Sequence, residues 1–464
     1  MTPITFDPAE SASRQRSERA QGPRESGGRR PSVLAFNLVL GVLSLGMGVA
    51  VGLPIVDGTL SELSGPGGLA MFIGSITGMA GTYLALVMVI LASRMPALER
   101  ILGQGGVIHW HRRLAPWPIL LIAIHAVFLT IAYAEAANTG IMAEVGVIVN
   151  TFPHLVTATV ALAIMLFIGF ISIRAIRTRI PRENWWLIHL LMYVALFLSF
   201  AHEVVLGPSF VKHPLAQETW TIAWLFAVAL VLTYRIGFPI FRTLRHQLKV
   251  VEVKPEGPGV VSIILKGRLL EKLTISGGQF FEWRFLTRDL WWQAHPFTVS
   301  ALPKPPYLRM TVKGVGDFSR NLANIKIGTK IAIEGPYGSF TTFARRRAQV
   351  LLIAGGIGVT AVRSLLEDIP LKSRPIVVLR ASNEQELVLS EEIEQLVRHR
   401  KGTIHRLIGS REEMSLESIT RLVPDIAKRD VFICGSEGFV NHATDVAQRA
   451  GVTSDALHHE AYSI

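Results

Sequence analysis

Apolar residues run in long, nearly uncharged blocks through the first half of the chain, whereas the second half breaks them into short runs punctuated by glycine, proline and charge. A helix needs roughly 20 apolar residues to cross a bilayer. Blocks of that order predict six membrane helices, over residues 32–53, 69–92, 114–133, 152–173, 185–206 and 220–240. Beyond residue 245, the runs 248–253 and 260–265 flank Gly257, Pro258 and Gly259, the pattern of strands joined by a turn. They predict an antiparallel barrel. The unbroken apolar run 349–354 suits a buried parallel strand, and a glycine-rich loop and a helical pattern through Leu366 follow it. Runs 375–379 and 430–433 predict two more such strands. The expected fold is a multi-domain membrane protein: a disordered tail over 1–31, a six-helix transmembrane bundle over 32–245, an antiparallel β-barrel domain over 246–345 and an α/β parallel-sheet domain over 346–464.

Charge orients the spans. Neither Lys nor Arg occurs between Pro31 and Ser93, or between Leu114 and Ile173. The basic residues gather at Arg94, Arg100, Arg112 and Arg113, at Arg174, Arg177, Arg179 and Arg182, and at Arg235, Arg242 and Arg245. Asp57, Glu62, Glu135, Glu144, Glu203 and Glu218 mark the opposite side, with Lys212 as the basic exception. By the positive-inside rule the N-terminus, the Arg-rich loops and the C-terminal half face the cytoplasm. The expected location is a bacterial plasma membrane. The tail, with Arg14, Arg16, Arg19, Arg24, Arg29 and Arg30 among Ser, Gly and Pro, lacks a packable face, and no cleaved signal peptide is expected because this charged region is long and the apolar stretch after it lacks a convincing cleavage signal. Core helices of a large soluble protein are the alternative, but they would not carry this consistent asymmetry.

Half of the residues are hydrophobic and the net charge is +12. The basic residues sit at the ends of apolar segments and form no continuous aromatic-interleaved patch, so no nucleic-acid partner is expected. The single cysteine, Cys434, excludes a disulfide framework within the chain and an iron–sulfur cluster held by four of its own cysteines. A metal cofactor here would need histidine.

Ionisable residues inside membrane spans are costly and mark functional sites. His111 and His125 are 14 positions apart at and within the third span, and His189 and His202 are 13 apart in the fifth. At a rise of about 1.5 Å per residue, each pair is separated by roughly 20 Å along its helix, giving two layers. With both spans running outward, His111 pairs with His189 near the inner face and His125 with His202 near the outer. Paired neutral imidazoles suit haem iron that passes electrons without binding substrate. A spacing of 13 turns the second histidine about 140° away on a regular helix, so the fifth span should be bulged, kinked or rotated between the ligands. His109, His154 and His213 have no partner at matching depth and are read as surface or interfacial, with His213 a candidate on the acceptor side.

The pattern His111-Arg112 with His125, then His189 and His202, resembles the ferric reductase and NADPH oxidase superfamily. The resemblance covers roughly residues 33–464. It implies a six-helix core with two b-type haems on those four histidines, followed by a ferredoxin-reductase-type FAD/NAD(P) module. His295-Pro296-Phe297-Thr298-Val299-Ser300 resembles the family's flavin-binding strand, which puts the Thr298 hydroxyl near flavin N5. Gly316-Asp317-Phe318-Ser319 resembles its Gly-x-x-Ser element, implying that Gly316 and Ser319 meet the FAD pyrophosphate. Gly278-Gln279-Phe280 and Gly335-Pro336-Tyr337-Gly338 fit the preceding and closing strands of that module.

In the last domain Gly355, Gly356, Gly358 and Thr360 lie between strand and helix, the order that dinucleotide phosphate binding requires. Ala361 stands where the family usually has proline. Arg380, ending the second strand, would pair with a 2′-phosphate, and Glu384 close by weakens that preference for NADPH over NADH. By resemblance, Cys434-Gly435 lies near the nicotinamide and Tyr462 covers the flavin; Cys434 as a small buried hydrophobe is the competing reading.

The expected activity passes electrons from cytoplasmic NADPH or NADH through FAD and two haems to a small acceptor beyond the membrane. A ferric chelate is the first acceptor, oxygen giving superoxide the second, and a quinone or a periplasmic redox protein the third. Oxidases of the superfamily tend to carry a further histidine one turn beyond the outer third-span ligand, and Leu129 occupies that place here. A transporter or channel with a nucleotide-sensing domain is the reading from another class. Oligomeric state is not written in the sequence.

Overall fold

A computed structural model describes residues 6, 33–57 and 61–462. The described residues form two compact units, one ending at Gly237 and one beginning at Phe238, and Phe6 belongs to the second. The tail expected over 1–31 otherwise lies outside the described residues, as do Ser463 and Ile464.

Six helical stretches in the described residues are long and apolar enough to cross a membrane: Leu34–Val56, Gly68–Ala92, Gly106–Ala137, Leu155–Ser172, Arg182–Leu206 and Pro214–His246. All six expected spans have counterparts. Their helices are α1 (Val33–Val56), α2 (Gly68–Ala92), α3 (Pro96–Leu114), α4 (Pro116–Ala137), α5 (Ile141–Thr151), α6 (Leu155–Ser172), α7 (Arg182–His189), α8 (Leu191–Leu206) and α9 (Pro214–Val231). The third span begins earlier than expected because Ala115 keeps helical angles between α3 and α4, and Pro116 at a first helical position loses no intrahelical bond. The fifth is interrupted at Leu190, immediately after His189, where the Leu190 N–H is shared between the Trp186 and Leu187 carbonyls. In the sixth, α9 passes through a π-helical turn, Leu232–Gly237, into α10 (Phe238–His246). Helix α5, with 11 residues, is too short to span and was not expected.

Helices α2 and α4 approach closely because glycines line the contact. A Cβ on Gly78 would lie 2.4 Å from His125 Nδ1, and one on Gly74 2.6 Å from Leu129 Cδ2. Large apolar side chains such as Leu45, Phe197 and Leu215 remain exposed on this unit. That surface suits lipid.

The second unit opens with strands β1 (Lys249–Gly257), β2 (Val260–Lys266), β3 (Phe280–Phe285), β4 (His295–Lys304) and β5 (Tyr307–Lys313), the short helix α11 (Asp317–Asn321) and β6 (Ile331–Tyr337). Their antiparallel order is β1-β2-β5-β4-β3-β6. Hydrogen bonds from Val250 N to Thr329 O and from Ile331 N to Leu248 O close β6 back onto β1. Phe281, Trp283, Phe285, Leu265 and Met310 fill the interior. Helix α10 packs on β6, where the Thr243 hydroxyl accepts from Ile333 N at 3.4 Å.

A parallel sheet follows in the order β11-β10-β7-β8-β9. It is built from β7 (Val350–Gly355), helix α12 (Val359–Asp368), β8 (Ile376–Ala381), α13 (Ser390–His399), β9 (Thr403–Ile408), α14 (Leu416–Leu422), β10 (Asp430–Ser436), α15 (Glu437–Arg449) and β11 (Leu457–Tyr462). Alternate residues of each strand point to opposite faces. Leu352, Val377 and Phe432 pack against α12 and α13, whereas Leu351, Val378 and Val431 pack against α14 and α15. Both faces are buried, as the unbroken apolar runs required.

Candidate functional site

Strand β4 brings Thr298 to the edge of the parallel sheet. Its hydroxyl lies 2.8 Å from the Tyr462 hydroxyl. In the β10–β11 register Cys434 pairs with Glu460 and Ser436 with Tyr462, and the Cys434 thiol is hydrogen-bonded to Tyr462. The three residues expected to do the chemistry are therefore adjacent, although 164 positions separate Thr298 from Tyr462.

Burial, then the neighbouring Glu460 charge, pushes the Cys434 thiol up, so it stays protonated and offers contact and not nucleophilicity. Burial also pushes Glu460 up to about 8. Its Oε2 is buried without a hydrogen-bond partner. Sequence reasoning missed Glu460. The available signal was its two-residue offset from Tyr462, which puts both on one face of a strand.

Along the flavin-type strand, the His295 ring stacks on Phe318 at 3.7 Å and Phe297 lies 6.3 Å from the same ring. Pro296 is exposed. The Phe297 carbonyl accepts from Trp283 Nε1 at 2.7 Å, which locks β4 to the barrel interior. Ser319 Oγ accepts from Val315 N at 2.9 Å and Gly316 N at 3.0 Å and donates to Gly316 O at 3.0 Å. Its hydroxyl shapes the exposed turn.

The glycine loop is held against the end of β10. A Cβ on Gly358 would lie 2.2 Å from the Cys434 carbonyl oxygen, so glycine is required for that approach, and one on Gly435 would lie a tight 3.1 Å from the Gly355 carbonyl oxygen. Gly356 adopts a φ of +54°. The Thr360 hydroxyl donates to Ile357 O at 2.9 Å, tightening the turn into α12. Arg380 Nη2 donates to Gly409 O at 2.9 Å, while its buried Nε has no hydrogen-bond partner.

In the membrane unit the His111 and His189 ring centroids are 6.4 Å apart. A metal held between two imidazoles, at about 2 Å from each nitrogen and roughly 1.2 Å more to each centroid, requires a separation of about 6.4 Å. The inner pair fits a bis-imidazole site. His189 stacks on Trp185 at 4.7 Å, with Arg177 over that indole at 4.5 Å, and its Nδ1 is buried without a partner.

The outer pair is prepared differently. His125 Nδ1 lies 2.8 Å from Gly74 O and His202 Nδ1 lies 2.6 Å from Ser199 O. A carbonyl can only accept, so each Nδ1 carries the proton and each Nε2 keeps its lone pair, the tautomer that metal ligation needs. Glu203, read from sequence as a loop acid, sits within α8, where Ser199 Oγ (3.0 Å) and Trp220 Nε1 (3.4 Å) donate to it. Of the other histidines, His213 Nε2 lies 2.5 Å from Asp57 Oδ1.

Two family models match parts of the chain. Residues 77–200 match the ferric reductase like transmembrane component and residues 247–341 match an FAD-binding domain. Among curated proteins, the chain is 25% identical over 201 residues to the glycine betaine monooxygenase reductase subunit of Pseudomonas aeruginosa, covering 39% of this chain and 55% of that protein. It is 29% identical over 303 residues to ferric reductase transmembrane component 4 of Saccharomyces cerevisiae, covering 63% of this chain and 39% of that protein. The chain thus spans about half the length, or less, of these two relatives. Among solved structures, the FAD/NAD-binding domain of nitric oxide dioxygenase from Vibrio cholerae aligns with 47% of this chain and 98% of its own, at 21% identity and a TM-score of 0.41.

Proposed function

We propose that this chain, a transmembrane flavin-dependent oxidoreductase of the ferric reductase type, carries electrons from cytoplasmic NAD(P)H through FAD and two b-type haems to an acceptor across the membrane, ferric iron in chelated form being the first choice. A bound flavin takes electrons as a hydride pair and releases them singly, which is what one-electron haem irons accept. The residues supply the rest. Gly355, Gly356 and Gly358 let the dinucleotide backbone approach α12, and Arg380 beside them makes NADPH the first donor and NADH the second. Thr298 and Tyr462 lie 2.8 Å apart, and in this reading flavin and nicotinamide would meet beside them, with Tyr462 as the cover. His111 with His189 and His125 with His202 would hold the two haems, which would supply one-electron transfer across the membrane. The 6.4 Å separation of His111 and His189 is the observation that carries the membrane half of this reading.

A superoxide-generating oxidase is the second reading. Against it, the place one turn beyond His125 holds Leu129, packed against Gly74. The test is NAD(P)H oxidation by the purified protein with ferric chelate or with oxygen, superoxide dismutase serving as the control. Ferric reduction that persists with the dismutase supports the reductase. Ferric reduction abolished by it makes superoxide the product, and a protein without a Soret band that shifts on dithionite addition supports the nucleotide-sensing transporter.

A further inference from the structure

Phe6 is the only aromatic residue among residues 1–35, and it is buried, with 7% of its surface exposed. Its ring packs on Ile264 of β2 and Ala301 of β4, with Val251 and Tyr307 at the margin. The Arg309 guanidinium of β5 lies over that ring, 5.0 Å from its centroid. From the other domain, Arg363 Nη2 of α12 donates to the Phe6 carbonyl at 3.2 Å. One residue from ahead of the first membrane helix therefore touches both the barrel and the nucleotide-type domain.

Beneath it lies a buried ion network that joins those domains. Glu392 of α13 accepts from Arg309 Nη1 and Nη2 at 2.7 and 2.8 Å and from Arg363 Nε at 2.8 Å. Glu367 of α12 pairs with Arg363 at 2.8 Å and accepts from Leu302 N of β4 at 2.5 Å. Ion pairs weaken when water reaches them, and an aromatic face over a guanidinium excludes water while adding its own attraction. The same strand β4 carries Thr298, a few positions before Ala301 and Leu302.

We propose that Phe6 clamps the barrel to the nucleotide-binding domain and so holds Thr298 and Tyr462 in register. Residues 7–32 connect the anchor to α1, giving the flavin module a covalent link to the membrane half besides the one at Gly237–Phe238. The kinetic consequence rests on the flavin reading above; the docking does not.

Full-length, FAD-loaded protein carrying Phe6→Ala is titrated with a fluorescein-labelled peptide of residues 1–12 and with the same peptide carrying Phe6→Ala, followed by anisotropy. Saturable binding of the phenylalanine peptide, with the alanine peptide weaker by about tenfold or more, is expected from a buried aromatic anchor. Flavin reduction by NAD(P)H should be slower in the Phe6→Ala protein by about threefold, be restored by the phenylalanine peptide, and be intermediate in Phe6→Leu, which keeps apolar bulk without the π face. Equal binding of the two peptides, or none, overturns the anchor. Selective binding with flavin reduction unchanged by either variant overturns the clamp, whereas a wild-type protein that never reduces flavin sinks the functional reading and leaves the titration to judge the anchor.

Discussion

The Thr298 hydroxyl and the Tyr462 hydroxyl lie 2.8 Å apart, one on an antiparallel strand and the other on the last strand of a parallel sheet. Loss of either partner leaves the other without this bond. Thr298→Val and Tyr462→Phe should each slow flavin reduction by about tenfold, the scale of one hydrogen bond. If the two act as a unit, the double variant should be little slower than either single one. Stopped-flow flavin bleaching measures all three, and fully multiplicative losses would separate the residues.

Glu460 gives the module a pH signature. Its folded value, pushed up to about 8 by burial, lies above that of an unfolded glutamate, so the folded state favours the protonated form. Its stability contribution is fully present below the unfolded value near 4.3 and is lost as pH rises through about 8. Glu460→Gln should therefore show its largest gain in Tm over wild type near pH 9 and its smallest near pH 4. A gain independent of pH would contradict this assignment.

Glu392 acts in the opposite sense. Burial alone would raise it, but hydrogen bonds from Arg309 and the Arg363 charge bring it down to about 2. That contribution is present above the unfolded value and is lost as pH falls toward 2. Glu392→Gln should lower Tm at pH 7, with the deficit shrinking on acidification as the wild type loses the same ionised form. Thermal unfolding across that range, read by flavin release, is the check.

Gly78→Ala would put a methyl 2.4 Å from His125 Nδ1, a distance that forces the ring or the helix to move. About half of the haem should be lost, with FAD content and flavin reduction unaffected. Pyridine haemochrome and released-flavin assays on one sample report both. Full haem content in this variant would show that His125 tolerates displacement or is not a ligand.

Much of this layout was legible because it depends on local pattern. Membrane spans declare themselves by uninterrupted apolar length, and β7, β8 and β10 by short unbroken runs, since those strands are buried on both faces. Strands β9 and β11 were not legible: Thr403–Ile408 and Leu457–Tyr462 carry His, Arg and Glu at half-exposed sheet edges. The histidine spacing foretold an irregular fifth span, and the break falls at Leu190. Glu460 and Phe6 escaped because each owes its surroundings to partners far along the chain, Cys434 and Gly338 near the first, Arg309 and Arg363 around the second. No window of sequence contains those contacts.

The most direct test of the central claim is the ratio of haem to FAD in the purified full-length protein, with a dithionite difference spectrum on the same sample. Two haems per flavin, falling to one in His125→Leu or His202→Leu with NAD(P)H-driven flavin reduction retained, is the result expected here. A flavoprotein without haem, or one whose haem content ignores all four histidines, would contradict it.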